Sequence, residues 1–195
     1  MPSHPFHHRC GPDPGTRVCQ SDQQTPANGN GISGVTDFLL VPGAGGDSSA
    51  WQGVISILEA GGDRAVAVDL PAADDAAGIA EYADAVVSAA RSLDDIVLVA
   101  HSIGAYAAVV AAEHIDVKAL IFVAAMIPAV GETPREWWRR SGQTLAQQEL
   151  DIAEGRDPDH FDEQESFWHD VPAEVLANFT ALGRHPQSQR PFDDS

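Results

Sequence analysis

From Asp37 onward the chain alternates short apolar runs with amphipathic stretches. Phe38-Leu39-Leu40-Val41 reads as a buried strand ended by Pro42-Gly43. Trp51, Val54, Ile55 and Leu58 recur at i, i+3, i+4 and i+7, one face of a helix, and Gly61-Gly62 stops it. Ala65-Val66-Ala67-Val68 predicts a second strand, closed by Asp69-Leu70-Pro71. Ile79, Tyr82, Val86, Ala89 and Leu93 mark a second amphipathic helix. Ile96 to Ala100 is a third strand, Ile103 to about Glu113 a third helix, and Val117 to Val123 a fourth strand. Runs apolar on both faces, alternating with helices, predict an α/β fold: a mostly parallel sheet covered on both sides. Ligands of such sheets bind at the carboxyl ends of the strands. Ser102 and the Pro42-Gly43 loop both fall there.

The flanks differ. Residues 1–34 are rich in Pro, Gly, Ser, Gln and Asn without apolar periodicity, and read as a disordered leader. Residues 35–127 hold the α/β core. Residues 128–185 carry helical patches, many charges and the aromatics Trp137, Trp138, Phe161, Phe167, Trp168 and Phe179, with no clear strand, and read as a helical cap. Residues 186–195 are a tail. The cap aromatics either pack the cap onto the core or, as with Trp137, Trp138 and Trp168, line a substrate pocket. Arg135, Arg139 and Arg140 read as a solvated helix face.

A length of 195 residues suffices for one domain with a sizeable core. The formal net charge of −18 argues against nucleic acid and anionic membrane surfaces as partners. No run is long and apolar enough to span a bilayer, and no signal-peptide pattern opens the chain, so a cytoplasmic location is expected. Cys10 and Cys19 lie in the leader and read as reduced surface thiols. No second ligand pair has zinc-site spacing beside Cys10, His7 and His8, so no metal is expected.

The chemistry concentrates in Ile96-Val97-Leu98-Val99-Ala100-His101-Ser102-Ile103-Gly104. A β-branched run, a serine between small residues and an Ala-rich helix form the context of a nucleophile elbow. Amides at the N-terminus of the new helix can face an oxyanion. The usual pattern is Gly-x-Ser-x-Gly; Ala100 stands at the first glycine, and Gly104 at the second.

The stretch from about Asp37 to Phe192 resembles the α/β-hydrolase superfamily, in its small esterase and hydroxynitrile-lyase-like branch. Leu40-Val41-Pro42-Gly43-Ala44 followed by Trp51 resembles the oxyanion loop, and Val68-Asp69-Leu70-Pro71 the strand-ending Asp-Leu-Pro. Ala100-His101-Ser102-Ile103-Gly104 resembles the elbow; Phe167-Trp168-His169-Asp170-Val171-Pro172 and Pro186-Gln187-Ser188 resemble the end of the cap. The resemblance implies that Ser102 is the nucleophile and that the backbone N–H groups of Ala44 and Ile103 are oxyanion donors. It also implies that His101 shapes the turn rather than acting as base.

A serine needs a base in reach and a group that orients it. In the family these follow on loops after later strands. The chain has no strand after Val123 and no Gly-His before a last helix. The expectation is a hydrolase lacking its final strands and helix, roughly 60 residues at ~30 per strand–helix unit. His169 with Asp170, and Glu132 shortly after the fourth strand, are the remaining base and acid candidates. His114, His160 and His185 are poorer ones. The expected function is a serine esterase acting on a small neutral ester through an acyl-serine intermediate, without cofactor. The alternatives are a non-catalytic binding module of the same fold and a hydroxynitrile-lyase-like reaction using Ser102.

Overall fold

The computed structural model describes residues 34–160, 166–181 and 186–195. The leader with its cysteines and histidines, Phe161 and His185 lie outside the described residues. The strands are β1 (Asp37–Val41), β2 (Arg64–Ala67), β3 (Ile96–His101) and β4 (Val117–Val123). They form one parallel sheet in the order β2-β1-β3-β4. Helix α1 (Gln52–Ala60) follows a 3-10 turn at Ser48–Trp51; α2 (Ile79–Ala90) and α3 (Gly104–Ala111) make the other crossovers. After β4 come α4 (Pro134–Ser141), α5 (Gln143–Ala153) and α6 (Ala173–Ala181).

The strand order explains where the helices lie. β1 is central, and the chain steps to one side for β2, then back past β1 for β3. Right-handed crossovers in opposite directions put α1 on one sheet face and α2 and α3 on the other. Two apolar clusters record this. Trp51, Ile55 and Leu58 pack with Leu40, Ala65 and Val99 on the α1 face. Tyr82, Val86, Ala105 and Ala108 pack with Leu39, Val41, Leu98 and Ala100 on the other. Val54 is on the outer side of α1 and exposed, so the apolar stripe there is narrower than the spacing predicts.

Coverage stops at β3. Leu120 and Phe122 of β4 lie against the α2–α3 cluster. On the α1 face Ile121 is 43% exposed, beside Val99 at 8%. The strand is as apolar as predicted, yet no described element covers this side of it. No helix among the described residues is long and apolar enough to cross a membrane.

Candidate active site

The strand order reverses at β1, with β2 on one side and β3 on the other, and this makes a crevice at the carboxyl ends of β1 and β3, the usual ligand position in open α/β sheets. Two loops edge it: Pro42–Gly46 after β1, and the turn at Ser102 after β3.

Ser102 has φ 52°, a left-handed conformation that costs a non-glycine residue about 1–3 kcal/mol. Its surroundings enforce it. The Ser102 N–H donates to the Val123 carbonyl at 3.3 Å, and its own carbonyl accepts from Met126 and Ala105 at 3.1 and 3.2 Å. Beyond it α3 begins at once. A Cβ on Gly104 would collide with the Pro42 carbonyl oxygen, so only glycine lets the new helix press against the end of β1. A Cβ on Gly43 would meet His101 Nδ1 at 2.9 Å and Ser102 Cβ at 3.0 Å. Both small residues therefore let the two loops close on each other. Ala100 is fully buried between neighbouring strands. Ala124, beside the Ser102 turn at the end of β4, has φ 42°, a second strained residue that sequence pattern does not flag.

The Ala44 and Ile103 amides, one on each loop, are engaged in no hydrogen bond among the described residues. Ile103 is buried with Ile79, Tyr106 and Met126, against which Trp137 and Phe192 pack. The loop carrying Ala44 is tied down at several points. Gly46 N–H donates to Gly43 at 3.1 Å, Leu70 N–H donates to Gly46 at 2.8 Å, and Asp69 accepts from Ser48 N–H at 2.8 Å. The Asp-Leu-Pro segment after β2 thus buttresses the loop after β1.

His101 stands edge-on to Trp51, with centroids 6.3 Å apart and planes at 88°. Partial burial of its ring lowers its pKa below the ordinary value. Glu132 is held by Arg140, whose Nη2 donates at 3.0 Å, and accepts from Ala129 N–H at 3.1 Å. The Arg140 hydrogen bonds hold its carboxyl below the usual range. Near this pair the Tyr106 hydroxyl is buried without a partner among the described residues, and burial together with the Glu132 charge pushes its pKa up to about 12. His169 and Asp170 are exposed, as are His160 and His114. Among the described residues, neither an imidazole nor a carboxylate bonds the Ser102 hydroxyl. Trp138 is exposed, its Nε1 donating to Thr144 at 3.2 Å, and Trp168 is half-buried. A cavity of about 550 Å³ opens at the opposite end of the sheet, among Leu93, Ile96, His114 and Lys118, and of the candidate residues it holds His114 alone.

Sequence reasoning missed the tail's part in the site. Gln187 Oε1 accepts from Gly45 N–H at 2.8 Å, and Asp194 Oδ2 accepts from Ile79 N–H at the start of α2 at 2.9 Å. Gly78 leaves the room that the Asp194 carboxylate occupies.

A model of the alpha/beta hydrolase family matches residues 38–194. The chain belongs to this family. Relatives agree with that placement. The probable esterase PIR7A of Oryza sativa subsp. indica is 36% identical over 120 residues, covering 53% of this chain and 45% of the rice protein. Methylesterase 7 of Arabidopsis thaliana is 30% identical over 159 residues, covering 74% of this chain and 61% of the plant enzyme. The chain thus spans less than half of the rice esterase it matches. Among solved structures, a pyrethroid hydrolase from Sphingobium faniae JZ-2 superposes with a TM-score of 0.59 at 26% identity, over 82% of this chain and 71% of the hydrolase. Tomato methylketone synthase I shares the fold with a TM-score of 0.56 at 20% identity, over 75% of this chain and 66% of the synthase.

Proposed function

We propose that the protein carries the nucleophile and oxyanion half of a serine esterase site for a small, uncharged carboxylic ester. The observation that carries this reading is the left-handed Ser102 at the β3–α3 turn, with Gly104 packed on the Pro42 carbonyl. Such strain persists only where the surroundings impose it, and it clusters where a side chain must be presented. Ser102 Oγ attacks the ester carbonyl, and the carbonyl oxygen gains charge. The Ala44 and Ile103 N–H groups stabilise that charge. The ester C–O bond breaks, the alkoxide takes up the proton given up by Ser102 Oγ and leaves as the alcohol, the acyl group stays on Ser102, and water then cleaves the acyl–serine bond to give the acid and the free hydroxyl. Relatives named as esterases support the reaction class. The helices after β4 act as a cap, with Trp137 joining the buried cluster of Ile103 beside the nucleophile. No metal or organic cofactor enters this chemistry.

A non-catalytic binding module is the second reading, favoured by the absence of a described base or acid on the Ser102 hydroxyl. Incubation with 4-nitrophenyl acetate and with a fluorophosphonate decides between them. Turnover and a covalent adduct on the protein, both lost in Ser102→Ala, support the esterase. Equal behaviour of the two proteins leaves the binding module. Aldehyde and cyanide released from a cyanohydrin indicate lyase chemistry at the same serine.

A further inference from the structure

The loop that presents Ala44 N–H is not rigid by its own sequence. Gly45 and Gly46 have φ of 87° and 63°, in the region that only glycine enters freely. What holds the Gly45 amide is a side chain 142 residues away, the carboxamide of Gln187. Its Oε1 accepts from Gly45 N–H at 2.8 Å. Its Nε2 donates to Tyr82 Oη at 3.0 Å and to the Ser188 carbonyl at 2.8 Å.

The polarity of this bridge is fixed. A backbone N–H can only donate and a carbonyl can only accept, so Oε1 must face Gly45 and Nε2 must face Ser188. The bridge has a firm base. Tyr82 on α2 is fully buried, Ser188 N–H donates to Ala72 at 2.7 Å, and Ser188 Oγ accepts from Arg190 N–H at 3.1 Å. Ala72 and Leu70 in turn crowd Gly46. The Gly45 amide belongs to the peptide plane that follows Ala44, so fixing it fixes the turn from which Ala44 N–H is aimed.

We propose that Gln187 is a positioning residue: its carboxamide spans from α2 to the loop after β1 and locks the Ala44 amide toward Ser102. The proposal deepens the esterase reading and rests on it for the role of Ala44. A carboxamide is the group this place needs, because one end accepts and the other donates. Pre-set donors are worth most when they need no reorganisation as charge develops.

The test compares wild type, Gln187→Ala, Gln187→Glu and Ser102→Ala as full chains, with two readouts. The first is NMR-detected amide exchange, independent of activity. In Gln187→Ala the Gly45 amide should exchange at least about tenfold faster, while Leu98 and Val99 in β3 keep their rates. The second is the Ser102-dependent rate with 4-nitrophenyl acetate. It should fall about tenfold or more in kcat with KM little changed, the pattern of an interaction made in the transition state. Gln187→Glu can still accept from Gly45, with the Tyr82 hydroxyl turned to donate, and loses only the bond to the Ser188 carbonyl. It should keep Gly45 protected yet lose rate, because its charge opposes the oxyanion. A packing role gives no such split. Unchanged Gly45 exchange in Gln187→Ala, or an unchanged Ser102-dependent rate, overturns the proposal. If wild type shows no Ser102-dependent rate the esterase reading fails, and the exchange result alone then upholds or overturns the locking of the loop by Gln187.

Discussion

β3 and β4 are neighbours of similar apolar content, with His101 opposite Val123 at their carboxyl ends. Leu98 and Ala100 of β3 are fully buried, whereas Ile121 and Val123 of β4 are 43% and 41% exposed. Each strand ends in a left-handed residue, Ser102 and Ala124, and the two turns are cross-linked by the Ser102–Val123 and Met126–Ser102 hydrogen bonds. β3 is thus packed on both faces, whereas β4 is packed on the α2–α3 face and, among the described residues, open on the α1 face. The turn at Ser102 depends on both.

The largest expected effect lies on the β3 side. Gly104→Val forces a branched side chain into the Pro42 carbonyl and should cost more than about 3 kcal/mol, read by urea denaturation. A wild-type midpoint would show that α3 can shift away from β1 and that the Ser102 turn is softer than its contacts imply. Next comes the direct contrast. Leu98→Ala should cost about 2–5 kcal/mol and Ile121→Ala under about 1 kcal/mol. Equal losses would mean that β4 is covered in solution. Ile121→Lys should also reduce self-association in sedimentation velocity, because an open apolar edge invites pairing. A smaller gain is expected from Ala124→Gly, which should stabilise by up to about 1 kcal/mol by relieving its positive φ. No gain would place the strain elsewhere in the turn.

The smallest effect is a pH dependence at the β3 terminus. The folded pKa of His101 lies below its unfolded value, so between the two the unfolded chain binds more protons. Stability should therefore be unaffected by His101 above about pH 6.5 and decline as pH falls from there toward the lowered folded pKa. His101→Gln should flatten that part of the stability–pH curve. An unchanged slope would show that the ring beside Trp51 is as well hydrated as in the unfolded chain.

Local pattern located the four strands, the three crossover helices and Ser102, because each is encoded within a few residues. Alternating β-branched and helical periods mark the elements, and small residues around a serine mark a tight turn. Some features were not legible. The exposure of β4 depends on what packs over it, which no property of Val117–Val123 records. The strain at Ala124 arises from two turns bonding each other. Gln187 stood out in sequence only within Pro186-Gln187-Ser188, and nothing local says that its carboxamide meets Gly45.

The sequence by itself determined the parallel α/β order and the serine at a strand–helix turn, since hydrophobic period and small-residue spacing are local properties of a chain. Tertiary structure alone decided which strand is covered, which turn is strained and which distant side chain holds the loop after β1. Those outcomes depend on the partners that the fold brings together across long separations, and on the hydrogen bonds that buried amides must find there.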